Sequence, residues 1–421
     1  MSLLGEIERT RVVGADDGVL RLVTAGSVDD GKSTLIGRLL HDCRAILEDQ
    51  LAAVAHASRR RGRDELDLAL LTDGLEAERE QGITIDVAYR YFATPRRKFI
   101  LADAPGHEQY TRNMVTGAST ADVAVILVDA RQGVLPQTRR HAYLTYLLGI
   151  RHLFVAINKM DLAGYARARF ERICRDFRRF AEPMAIHDLR FFPISALRGD
   201  MVVERGDAIG WYDGPTLLEA LETVPVQDEA LPFRFPVQLV LRGERRSYAG
   251  RVASGCVRAG DEILVLPSGR RTTVSEILAF DGPRDAAFAA DSVALRLADE
   301  IDLARGDLLA DPERPARLMK AVEATVCWLD DEPLRPEARY LLKHTTHTVQ
   351  ARVARLDHKV DVHTLVPVAP DGPLAMNEIA GVRLSLQHPI PADPYAANRA
   401  TGAFILIDPT THRTVAAGMI R

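Results

Sequence analysis

Between residues 19 and 224 short apolar runs alternate with segments whose apolar residues recur at helical spacing. The runs at 19–24, 87–92, 99–102, 123–128, 153–157 and 191–194 read as buried strands. The segments 34–40, 107–118, 136–149, 165–180 and 215–223 read as helices with one apolar face. Alternation of this kind predicts a mostly parallel sheet covered by helices on both faces. The turn Thr94-Pro95-Arg96-Arg97 joins two runs directly, so that pair is expected to be antiparallel. After Val224-Pro225 the texture changes to short extended segments punctuated by Gly, Pro and Asp, at 233–241, 248–252, 262–266, 271–277 and 292–297. A second breaker, Asp311-Pro312-Glu313-Arg314-Pro315, precedes another strand-rich block at 319–329, 346–356, 378–386 and 402–407. Each block has the spacing of a β-barrel. The expectation is an α/β domain over 1–224, a barrel over 225–315 and a second barrel over 316–421.

Composition changes this picture little. A chain of 421 residues suits two or three domains, and 47% apolar with 27% charged residues is ordinary for a globular protein. The net charge of −4 argues against a surface devoted to nucleic acid. Cys43, Cys174, Cys256 and Cys327 show no paired spacing, so neither a zinc framework nor a disulfide scaffold is expected. With no signal-like start and no long apolar run, the expectation is a soluble protein of the reducing cytoplasm.

The chemistry sits in the loops. Gly26-Ser27-Val28-Asp29-Asp30-Gly31-Lys32-Ser33 fits G-x-x-x-x-G-K-[ST] between a strand and a helix, with Thr34 opening the helix. Glycines there let successive backbone N–H groups turn inward around phosphates, and the helix start adds positive charge. Lys32 would reach the outer phosphates and Ser33 would place its hydroxyl on Mg²⁺. Asp103-Ala104-Pro105-Gly106-His107 follows a strand, where ligands collect in open α/β sheets. Asp103 can hold Mg²⁺ through water, Gly106 can offer its N–H to a terminal phosphate, and His107 is placed to orient an attacking water. In Gly82-Ile83-Thr84-Ile85-Asp86, Thr84 can complete Mg²⁺ coordination while a terminal phosphate is present.

Asn158-Lys159-Met160-Asp161 supplies base discrimination. Asp161 can accept from two N–H groups on the guanine edge, a pair that adenine lacks. Ser195-Ala196-Leu197 would add backbone donors for the guanine carbonyl. Three motifs in this order, each at a strand terminus, point to GTP. The Arg- and Glu-rich insert with helices at 47–61 and 66–79 reads as solvated faces. No arginine can be assigned to transition-state charge, so slow intrinsic hydrolysis that a partner accelerates is expected.

These segments resemble the translation-factor class of GTPases, whose architecture is an α/β domain plus two barrels. The chain is most similar to the GTPase (large) subunit of bacterial sulfate adenylyltransferase. The resemblance rests on G-S-V-D-D-G-K-S-T at 26–34, E-R-E-Q-G-I-T-I-D-V-A-Y-R-Y-F at 78–92 and A-D-A-P-G-H-E-Q-Y-T-R-N-M at 102–114. It continues through W-Y-D-G-P-T-L-L at 211–218, F-R-F-P-V-Q at 233–238, D-E-I-D-L-A-R-G-D at 299–307 and N-R-A-T-G-A-F-I-L-I-D at 398–408. An elongation factor would usually carry His where Ser27 and Asp30 stand. The resemblance implies a regulatory GTPase that drives a smaller catalytic subunit, which binds ATP and sulfate and makes adenosine 5′-phosphosulfate. With no second phosphate loop before Arg421, a fused adenylylsulfate kinase activity is not expected. The alternative is a translational GTPase delivering aminoacyl-tRNA. Its best support is the basic stretch holding Arg335, Arg339, Lys343, Arg352, Arg355 and Lys359, although Glu337 and Asp357 interrupt it and it reads as a solvated barrel face.

Overall fold

The computed structural model describes the chain except for residues 1–17, 28, 47, 61–65, 72–86, 106–110, 185, 226–230, 244, 336 and 362–363. The chain divides into two compact units, 1–226 with 362–364, and 227–361 with 365–421.

The first unit is built on a six-stranded sheet. Its strands are β1 (Val19–Ala25), β2 (Ala88–Ala93), β3 (Lys98–Asp103), β4 (Val123–Asp129), β5 (His152–Asn158) and β6 (Asp188–Pro193), in the order β2-β3-β1-β4-β5-β6. All neighbours are parallel except β2 and β3, which pair antiparallel across the 94–97 turn as the sequence predicts. Every residue of the central strand β4 is buried, and the six before Asp129 form the continuous apolar run that a parallel sheet covered on both faces requires. Around the sheet lie α1 (Lys32–Asp42), α2 (Glu48–Arg60), α3 (Thr111–Ala118), α4 (Pro136–Leu147), α5 (Arg167–Ala181) and α6 (Leu217–Thr223). Helix α6 opens on a reciprocal cap, with the Thr216 N–H donating to Glu219 Oε2 at 2.8 Å and the Glu219 N–H to Thr216 Oγ1 at 3.2 Å. Helix α5 buries Phe170, Ile173, Cys174, Phe177 and Ala181 and turns its arginines outward.

The second unit holds two barrels. Strands β7 (Arg234–Leu241), β8 (Ser247–Arg251), β10 (Glu262–Leu266), β11 (Arg270–Ala279), β14 (Ser292–Leu297) and β15 (Leu308–Ala310) close on themselves through the β10–β11 pairing. The short strands β9 (Cys256–Arg258), β12 (Gly282–Arg284) and β13 (Ala286–Phe288) border this barrel. The other barrel comprises β16 (Arg317–Trp328), β17 (Arg339–His344), β18 (His347–Val360), β20 (Ile379–Ala392), β21 (Ala403–Ile407) and β22 (Thr414–Ile420), closed by β17 on β18. Strand β19 (Pro367–Val368) extends β18, and the single turn α7 (Arg399–Gly402) precedes β21.

Three expectations need correction. Of the helix expected over 66–79, residues 72–79 lie outside the described ones, and the described part holds a 3₁₀ turn at Leu68–Leu71 rather than an α-helix. That turn presses against α1 at Gly37, where a Cβ would lie 2.1 Å from Leu68 O. Strand β6 starts at Asp188 rather than 191; its first three residues, two of them charged, are only partly buried at the sheet edge, so they lack the apolar run of a buried strand. Strands β9, β12, β13, β15, β17, β19 and β22 are additions to the strands read from the sequence. Four of them are only three residues long, too short for an alternation to register.

Candidate functional site

The parallel strands end along one edge of the sheet, and the sequence motifs meet there. Register places Thr24 beside Asp103 and Asp129 beside Asn158. The loop after β1 turns through Asp29 at φ 66° and Gly31 at φ 92°. A Cβ on Gly31 would lie 2.5 Å from Asn158 Nδ2, so glycine is needed both for the left-handed angle and for space. Below the loop, Asp30 is 1% exposed and its carboxylate accepts the Ser27 N–H at 2.7 Å. Lys32 is buried and donates to Gly26 O at 3.3 Å. Burial lowers its pKa, against the pull of Asp103, Asp30 and Asp29. Ser33 and Thr34 follow in the first turn of α1. Asp103 is 3% exposed, and Thr24 Oγ1 donates to its Oδ1 at 3.5 Å. Ala104 and Pro105 continue from it as buried backbone.

The base-recognition motifs are tied to this loop. Asn158 Nδ2 donates to Asp30 O at 2.8 Å, and its Oδ1 accepts the Ala196 N–H at 2.9 Å. Lys159, at φ 61°, donates to Asp29 O and pairs with Asp129 at 3.1 Å. Ser195 Oγ donates to Asp161 Oδ1 at 2.8 Å, orienting the carboxylate that the sequence singles out for guanine. Met160 is fully buried, and its N–H donates to Ile194 O at 3.2 Å, so its side chain packs the floor. Leu197 leaves its side chain 49% exposed. Val28, Thr84, Gly106 and His107 lie outside the described residues.

Two groups escape a reading of the sequence. Arg38 of α1 reaches across to Ala196 O, 3.1 Å from its Nε, and to Leu197 O, joining the phosphate-loop helix to the base loop. Its place two turns along a helix, in no motif, gives no signal. Asp129 is the other. Burial opposes its charge, but bonds from Arg131 and Lys159 outweigh that and draw its pKa down to about 2. It thereby anchors Lys159 as a fixed cation.

Asp30 behaves oppositely. Burial, only partly offset by the Ser27 N–H and Lys32, raises its pKa to about 6. A carboxyl whose folded pKa lies above its unfolded value contributes stability that is full below about pH 4 and lost as pH rises through about 6. Asp30→Asn keeps an oxygen for the Ser27 N–H without a buried charge. The variant is therefore expected to match the wild type near pH 4.5 and to exceed it at pH 7.5 by roughly 2 kcal/mol, from about 1.4 kcal/mol per pKa unit. Denaturant midpoints across that range check this; parallel curves for the two proteins would refute the assignment.

The donor set fits a nucleotide phosphate chain. The loop is held in a tight turn by the Asp30 N–H on Ser27 O at 3.2 Å, the buried Lys32 reaches back to Gly26 O, and Ser27 Oγ is buried with no hydrogen-bond partner among the described residues. The six-stranded sheet, this loop and the Asn158–Asp161–Ser195 cluster define a phosphate-loop GTPase carrying two β-barrels. The family model for the elongation factor Tu GTP binding domain matches residues 17–226, and that for the GTP-eEF1A C-terminal domain-like family matches 321–421. Sulfate adenylyltransferase subunit 1 of Alteromonas mediterranea is 51% identical over 96% of this chain and 86% of its own. The protein of the same name from Bacteroides thetaiotaomicron is 50% identical over the same shares. The bifunctional enzyme CysN/CysC of Mycobacterium tuberculosis (H37Rv) is 54% identical over 96% of this chain and 67% of its own. The chain belongs to the sulfate adenylyltransferase subunit 1 family.

Proposed function

We propose that this chain is the cytoplasmic regulatory GTPase of sulfate adenylyltransferase. Its hydrolysis of GTP drives a smaller catalytic subunit, in a heterodimer or larger assembly, to make adenosine 5′-phosphosulfate and diphosphate from ATP and sulfate. Family membership supports the coupling role. The observation that carries the nucleotide assignment is the Asp161–Ser195 pair, held in one hydrogen-bonded cluster with Asn158 and the phosphate loop.

Residues 26–34 cradle the phosphates, with Lys32 on the outer ones. Asp161 reads the guanine N–H groups, and the 195–197 loop faces its carbonyl. Ser33, Thr84 and Asp103 would hold Mg²⁺, which when bound offsets charge on the β- and γ-phosphates. His107 orients the attacking water. Forming a phosphate–sulfate anhydride from a weak nucleophile is uphill, and loops that differ between GTP and GDP states give a way to link that step to a second hydrolysis.

Delivery of aminoacyl-tRNA is the weaker reading. The cations of the basic stretch are largely consumed within the barrel: Arg335 pairs with Asp408 at 2.7 Å, Arg352 with Glu337 at 3.1 Å, Arg355 with Asp357, and Lys359 with Asp371 at 2.7 Å and Glu378 at 2.9 Å. Little charge is left to neutralise phosphates. The test is co-expression with a smaller adenylyltransferase subunit, followed by an assay of adenylyl transfer to sulfate with and without GTP. Product formation is expected to rise at least tenfold with GTP and not with ATP alone; equal rates would remove the coupling role.

A further inference from the structure

A cavity of about 340 Å³ opens between α5 and β6, at the sheet edge opposite β2. Phe170, Phe191 and Tyr212 wall it, and Arg175, Arg178 and Arg190 stand around it. The Arg178 guanidinium lies 4.7 Å above the Phe191 ring, while Arg190 bonds Asp188 at 2.9 Å. Glu171, the acid at the mouth, is taken by Arg167 at 2.8 Å. Arg175 and Arg178 are exposed and have no carboxylate partner among the described residues. Helix α5 bears six arginines (167, 169, 172, 175, 178 and 179) against Glu171 and Asp176, on a chain whose net charge is −4. Guanidinium forks recognise carboxylates, and an aromatic slot between them takes an apolar anchor.

The cavity wall is continuous with the base loop. The Phe170 ring packs 5.4 Å from Trp211, whose Nε1 donates to Tyr165 O at 2.9 Å. The Tyr165 N–H donates to Met160 O at 2.8 Å, and its hydroxyl donates to Asp200 Oδ2 at 2.6 Å. The Ser195 N–H in turn donates to Asp200 O at 3.1 Å. Whatever fills the cavity therefore leans on the residues that hold Asp161 and Ser195. That favours a partner whose action is tied to the bound nucleotide.

Resting on the function proposed above, we infer that this cavity is the docking site for an acidic segment of the smaller subunit, its apolar anchor seated between Phe170 and Phe191 and its carboxylates on Arg175 and Arg178. The test titrates fluorescently labelled smaller subunit against the full chain at low and physiological salt. Arg175→Glu with Arg178→Glu is expected to weaken the complex tenfold or more and to flatten its salt dependence, because both charges become repulsive. Arg175→Gln with Arg178→Gln falls between, and Arg258→Glu with Arg270→Glu, on the first barrel, leaves binding unchanged. Unaltered GDP affinity in every variant reports an intact fold. If the wild type binds the smaller subunit and charge reversal leaves affinity and salt slope untouched, the docking site is wrong while the functional reading stands. If the wild type does not bind that subunit at all, both fall.

Discussion

Replacing Asp161 with asparagine is expected to weaken GDP binding by roughly 10²- to 10⁴-fold and to make xanthosine diphosphate the preferred ligand. The aspartate accepts from two N–H groups of guanine, and a hydrogen bond to a charged group contributes about 1.5–3 kcal/mol. Two such bonds give the stated range, since about 1.4 kcal/mol is tenfold. Xanthine carries an oxygen where guanine has its amino group, so the introduced amide could donate where Asp161 can only accept. The swap is nearly isosteric. The oxygen of the amide can still take the Ser195 hydroxyl, now 2.8 Å from Asp161 Oδ1, so the loop is expected to keep its shape. Equilibrium titration with fluorescent GDP and xanthosine diphosphate decides the matter, and an unchanged preference would sink the assignment of Asp161.

The same loop shows why much of the site can be read from the chain alone. Phosphate and guanine chemistry demand particular residue types at fixed spacing, so Gly31, Lys32, Asn158 and Asp161 announce themselves as text. Arg38 and Asp129 do not. Their work is to hold other groups in place, through a carbonyl 158 positions away in one case and a lysine just past the end of the next strand in the other. Such contacts depend on how elements pack, which no local pattern encodes. The fold shows a similar division. Strand β4 is apolar up to its terminal Asp129 and plain in the sequence, whereas three-residue strands such as β9 are set by the barrel closing around them. Strand β17 is hidden for another reason: its arginine and lysine alternate with buried Tyr340, Leu342 and His344, and the charges draw the eye.

The largest stability loss in the second unit is expected at Arg234, a charge buried where the barrels meet. Its side chain is 2% exposed. It spans Asp393 through Nε at 2.9 Å and Nη2 at 3.0 Å, and also donates to Phe233 O at 2.9 Å and Arg314 O at 2.8 Å. Thr401 Oγ1 adds a bond to Asp393 at 2.6 Å. Burial works to raise the Asp393 pKa, but Arg234 and Thr401 outweigh it and hold the carboxyl below its ordinary value. That stability is present above the unfolded pKa and is lost as pH falls through the folded one. Arg234→Ala strands Asp393 as an unpaired buried charge, which costs about 3–5 kcal/mol. Arg234→Met with Asp393→Leu removes both charges, and most of that loss is expected to return. Trp328 is 2% exposed in the second barrel, and the other of the chain's two tryptophans is Trp211 in the first unit. In a Trp211→Phe background, fluorescence-detected urea unfolding therefore reports the barrels alone. A single variant that unfolds within about 1 kcal/mol of the parent, well under the loss expected of a broken buried pair, would show that Arg234 and Asp393 do not hold the two barrels together.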